Sequence, residues 1–126
     1  MITNSIDLYK NAKASFQILN YSFEDMKTIY ADGRLTHGLL NIGDVFTILY
    51  NYVFIKDDVT MPSPGNIDLI DEKKITLIVE KIFLYGKYLD EIEAGLTARV
   101  YIAGDFSDMD LTKYKKESWI ELSIKI

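Results

Sequence analysis

The sequence predicts an all-β fold: a small six- to seven-stranded antiparallel barrel with a short helical turn before the last strand. Three observations lead there. Apolar, β-branched runs recur along the 126 residues, cut by glycines at spacings too short for a helix. The stretch 118–126 alternates, with Ile120, Leu122, Ile124 and Ile126 on one face. Such a strand needs partners, because a free apolar edge invites aggregation, and closure of a barrel supplies them.

The elements follow in order. Residues 14–21 alternate loosely and form a first strand, whereas 4–13 fit a short helix or an extra edge strand. Residues 25–35 form a second strand, with Met26, Thr28 and Tyr30 on one face and Lys27, Ile29 and Ala31 on the other. Gly33-Arg34, Gly38 and Gly43-Asp44 read as turn signals, glycine supplying positive φ. Residues 44–55 carry the densest β signal. That run is too long and apolar for one half-exposed strand, so a bulge or bend is predicted near Tyr50-Asn51. Pro62 and Pro64 place 61–66 in a loop.

Residues 66–71 read as a short edge strand and 74–85 as a long one. A polar loop, 86–95, has Leu89 and Ile92 as inward anchors. Residues 96–103 then alternate, with Leu96, Ala98, Val100 and Ile102 inward and Arg99 on the opposite face, placed to pair with Glu80 or another acid. Residues 107–115 form the helical turn, capped by Ser107 with Asp110 three residues on.

Composition bounds the function. The length fits one domain, 1–126, and 48% hydrophobic residues fill a core without staples. No cysteine is present, which excludes disulfides, thiolate metal sites and thiol nucleophiles. The first residues lack a basic region followed by an apolar core, and no run reaches roughly 18 apolar residues. The expectation is a cytoplasmic protein without membrane contact. A net charge of −5 weighs against a broad phosphate-neutralising face, although Lys73-Lys74 and Lys113, Lys115 and Lys116 come in runs.

No constellation specifies chemistry. His37 is the single histidine and has no nucleophile or second histidine at a defined spacing, so neither a triad nor a zinc site follows. Asp105, Asp108 and Asp110 lack the glycine and terminal glutamate of a calcium loop. Glu91 with Glu93, and Asp57 with Asp58, fall in turn-like segments and read as surface charge. The expectation is no enzyme, no metal, no cofactor and no small-molecule substrate. Aromatics offer a binding surface instead. Tyr50, Tyr52 and Phe54 share a period-two face, and Tyr101 and Trp119 are further candidates. Tyr50, Tyr52, Tyr101, Trp119 and Arg34 are therefore the candidate partner-binding residues. Arg34 also suits bracing of the glycine turn that precedes it.

The order of these signals resembles domain 2 of translational GTPases of the elongation factor Tu type. Gly33-Arg34, Gly38 and Gly43-Asp44, followed by Val45, Phe46 and Ile48, are similar to that family's first half. Lys87-Tyr88-Leu89-Asp90-Glu91-Ile92-Glu93-Ala94-Gly95 and the run from Leu96 to Gly104 are similar to its second. The likeness covers about 15–104, leaving 105–126 as an extension. No phosphate-loop motif or guanine-reading motif is present, so GTP hydrolysis is not implied. The resemblance implies a barrel contacting tRNA, the ribosome or a translation factor. The residues themselves point first to a protein partner met by aromatic side chains and an acidic surface, with that translation-associated role, RNA contact included, as the alternative.

Overall fold

Eight strands make up the described chain in the computed structural model: β1 (Ala12–Phe23), β2 (Thr28–Asn41), β3 (Val45–Phe54), β4 (Ile67–Leu84), β5 (Lys87–Leu89), β6 (Glu91–Glu93), β7 (Thr97–Gly104) and β8 (Trp119–Lys125). The structure describes residues 12–54, 67–106 and 119–125, the side chains of 51–54, 67–72, 119, 120 and 125 excepted. The strands are joined in the order β1-β8-β3-β4-β7-β2, and β1 pairs again with β2. A six-stranded antiparallel barrel is thereby closed. β6 adds to β2 and β5 adds to β4 outside the ring. Among the described residues there is no helix. The predicted helical turn at 107–115, the loop at 61–66 and most of the ambiguous start lie outside them.

Alternation builds the core. Phe16, Leu35, Phe46, Leu49, Leu77, Ile82, Val100 and Leu122 all point inward and are buried. Phe16 and Leu49 each stand opposite Leu122 on the neighbouring strand, which packs three strands into one layer. The Phe16 and Phe46 rings meet at 6.5 Å between centroids. Leu89 packs against this core and Ile92 is buried, as the sequence anticipates.

Register shifts recur along the ladders and adjust the inward pattern, as two of them in β3 and β4 illustrate. A register shift between Leu49 and Asn51 lies at the predicted Tyr50 position. Another, between Val79 and Lys81, leaves both Glu80 and Lys81 exposed on consecutive positions while Val79 and Ile82 stay inside.

The glycine reading changes in one respect. Gly33-Arg34 and Gly38 are not turns; they lie within the continuous β2. A Cβ on Gly33 would stand 2.1 Å from the Gln17 carbonyl oxygen, and one on Gly38 would stand 1.8 Å from that of Lys13. Gly38 also has φ 78°, so it serves both a left-handed backbone and a close approach of β1. A sequence shows that glycine is present but not whether a turn or a neighbouring strand requires it. The expected edge strand at 66–71 is likewise no separate element. It is the first part of the 18-residue β4, which pairs with β3 before bending onto β7.

Candidate partner-binding face

An aromatic and cationic surface covers the outside of β5, β4, β7 and β2. Two adjacent rungs create it. In one, Phe83, Arg99 and Asp32 stand in line on β4, β7 and β2; in the next, Lys81, Tyr101 and Tyr30 do so. Tyr88 on β5 extends the first rung by pairing with Phe83. Each strand alternates, so these outward side chains are neighbours for the same reason that Val100 and Ile102 are neighbours inside.

The contacts are continuous. Phe83 and Tyr88 meet edge to face at 5.0 Å. Lys81 Nζ stands 5.9 Å from the Tyr88 ring centre and 5.4 Å from that of Tyr101. Tyr101 and Tyr30 lie 5.9 Å apart, tilted by 47°. The Arg99 guanidinium carbon stands 4.7 Å over Tyr30. Such cation–ring contacts hold flexible cations at fixed positions beside aromatic faces. Lys81 and Tyr88 are exposed, and Tyr30, Phe83, Arg99 and Tyr101 are half-buried.

Arg99 is held by two hydrogen bonds, Nε to Asp32 Oδ1 at 2.7 Å and Nη2 to Oδ2 at 3.0 Å. The bond from Arg99 holds the Asp32 carboxyl below its usual range, with burial acting the other way. The same bond raises the Arg99 pKa. Both groups stay charged at neutral pH, which leaves Lys81 as the cation at the centre of the face.

A second surface lies at the β1–β2 connection. Phe23, Met26 and Phe106 form its apolar part, with Asp25, Lys27 and Asp105 beside them. Met26 is 91% exposed, and the Phe23 ring meets Phe106 edge to face at 5.8 Å. The depression between Met26 and Gly104 has a volume of about 520 Å³.

The sequence candidates divide between these places and others. Tyr101 is on the aromatic face. Tyr50 is not a surface residue: it is fully buried, with its hydroxyl 2.9 Å from Ser123 Oγ. Sequence periodicity placed it on one face of its strand but gave no sign that this outer face is itself covered. Arg34 lies mid-strand in β2 and is half-buried, with Gln17 and Thr97 as its cross-strand neighbours. Tyr52 and Trp119 oppose each other in the β3–β8 ladder, and their side chains lie outside the description. Tyr30, Lys81, Phe83 and Tyr88 were missed. The strands of Tyr30, Lys81 and Phe83 were legible, but the register that brings them together was not; Tyr88 lies in β5, and β5 and β6 are short strands within 86–95, which the sequence placed in a polar loop. His37 lies within β2 opposite Ser15. Among the described residues, no three histidine or acidic side chains gather at metal-binding distance, and no helix is long and apolar enough to cross a membrane.

The barrel is similar in fold to part of a solved translation elongation factor. The chain is similar to translation elongation factor SelB from Methanococcus maripaludis in its apo form, with a TM-score of 0.57 and 13% identity. The match covers 89% of this chain and 19% of that one. The same factor in complex with the GTP analogue GppNHp matches equally, at TM-score 0.57 and 13% identity over the same shares. This chain thus spans about a fifth of the factor's length. No protein-family model and no curated protein matches the chain.

Proposed function

We propose that the chain is a non-catalytic, translation-associated binding barrel that contacts RNA through the face of Tyr30, Tyr101, Phe83 and Tyr88. The observation that carries this reading is the interleaving of Lys81 and Arg99 with these rings across four strands. Aromatic rings accept unstacked bases, and Lys81 beside them meets the backbone phosphates. The likeness to a translation factor barrel supports the same role and a cytoplasmic setting. The net charge of −5 keeps the contact local rather than spread over a broad basic groove.

Fluorescence anisotropy with a labelled single-stranded RNA tests this. Tyr88→Ala and Tyr101→Ala should each weaken binding by about 1–3 kcal/mol, the scale of one base–aromatic stack. Equal affinity for both variants and the wild type would reject the face.

A specific observation favours a second reading, a protein partner. Phe23, Met26 and Phe106 form an apolar depression beside Asp25 and Asp105, a pattern suited to a basic segment with an apolar anchor. Loss of a nuclease-resistant protein partner on Met26→Asp would support this reading, and unchanged capture would reject it.

A further inference from the structure

Glu121 is fully buried, although it faces away from the barrel core. Leu122 beside it points inward, so alternation turns Glu121 and Ser123 outward. Both belong to a closed polar cluster across β1, β8 and β3. Ser15 Oγ lies 2.8 Å from Ser123 Oγ, which lies 2.9 Å from the Tyr50 hydroxyl. Tyr50 stands opposite Glu121 in the ladder, and Gln17 stands opposite it on the other side. Thr36 Oγ1 contacts Glu121 Oε1 closely. Glu121 Oε2 is buried and closes no hydrogen bond among the described residues.

A count of protons favours an uncharged Glu121. Thr36 Oγ1 carries one hydrogen, and it lies 3.1 Å from the Ser15 carbonyl oxygen, which can only accept. If Thr36 donates there, its contact with Glu121 Oε1 needs a hydrogen from the carboxyl. A protonated Glu121 satisfies both bonds at once: Oε1–H donates to Thr36, and Thr36 donates to Ser15. An ionised Glu121 would leave one of the two short contacts between acceptors, with a charge buried at Oε2.

The described groups that face the carboxyl are uncharged at neutral pH: Ser15 and Gln17 from β1, Thr36 from β2, Tyr50 from β3 and Ser123 from β8. In the same cross-strand rows, Lys74 opposite Ile48 is the charge-bearing residue one strand beyond β3, and on the other side are Arg34 and His37. Arg34 and His37 stand opposite Gln17 and Ser15, and so one strand beyond β1 from Glu121. The location matters because β8 is the strand seated between β1 and β3. Its release would open the barrel and expose both of its neighbours' edges.

We propose that Glu121 is a proton-held latch on this closing strand: uncharged, it keeps β8 seated, and ionised, it loosens it. Burial pushes the Glu121 carboxyl up from an ordinary 4.5 to about 8. The closed barrel therefore holds a proton that the released strand gives up. Opening becomes more favourable as pH rises from 4.5 to about 8 and is independent of this group above that.

Native-state hydrogen exchange of the β8 amides, corrected for intrinsic exchange, reads the opening constant directly. In the full chain it should rise roughly tenfold per pH unit across that window, one proton being linked to opening. Glu121→Gln, which stays neutral, should flatten the rise. If that variant does not fold, the Glu121 carboxyl carbon resonance of the wild-type chain is followed through the titration instead. A midpoint far above the usual glutamate range supports the latch. An ordinary glutamate midpoint, or the same slope in the wild type and Glu121→Gln, overturns it. Neither outcome depends on whether the aromatic face binds RNA.

Discussion

Arg99 and Asp32 face each other across β7 and β2 and join through two parallel hydrogen bonds, at 2.7 and 3.0 Å. The pair fixes the guanidinium over Tyr30 and sets one border of the aromatic face. Both side chains remain partly open to water, so the pair's value lies in position more than in stability. Asp32→Asn should leave the melting temperature nearly unchanged yet free Arg99 to meet phosphate. RNA affinity should then rise, with a steeper salt dependence. Calorimetry together with anisotropy at two salt concentrations checks both parts.

The same pair has an acid limit. The folded-state pKa of Asp32 is depressed, so its stabilisation is present above the ordinary value of 3.8 and is lost as pH falls below it. The small stability difference between wild type and Asp32→Asn should therefore shrink as pH falls below 3.8. Urea unfolding at pH 6 and at pH 3 measures this.

Gly33→Ala should destabilise the barrel by about 3 kcal/mol or more, because the strand cannot absorb so close a contact without moving β1. The added methyl would stand 2.1 Å from the Gln17 carbonyl oxygen and 2.6 Å from the Phe16 ring. Urea denaturation gives the magnitude. A cost below 1 kcal/mol would mean that β1 and β2 are farther apart than the structure has them.

Core and surface should respond in opposite ways. Phe16 is fully buried and packs on Phe46, so Phe16→Ala should cost about 3–5 kcal/mol. Met26 is 91% exposed, and Met26→Ala should stay within about 0.5 kcal/mol. Thermal or chemical unfolding of the two variants provides the comparison.

Local pattern was enough to read most strands. The alternation of Ala98, Val100 and Ile102 identifies the inner face of β7, and the excess length of the apolar run around Tyr50 identifies a bulge. What depends on register was not legible. Arg99 was assigned an outward position, but its partner Asp32 lies 67 residues away and only strand pairing brings the two together. Tyr88 and Phe83 became neighbours through the tight Tyr85-Gly86 turn, in which both residues have positive φ. Alternation puts Glu121 on the face opposite Ile120, Leu122 and Ile124, and the fold buries it among hydroxyls. Periodicity separates two faces of a strand, but it does not say whether the outer one meets water.

The central claim is that RNA meets the outer face of β2, β7, β4 and β5. Titrating a short single-stranded RNA into isotope-labelled protein, and following backbone and aromatic resonances, tests it most directly. The account predicts shifts concentrated at Tyr30, Lys81, Phe83, Tyr88, Arg99 and Tyr101, which weaken as salt is raised. Resonances that do not move, or that move only around Phe23, Met26 and Phe106, would contradict it.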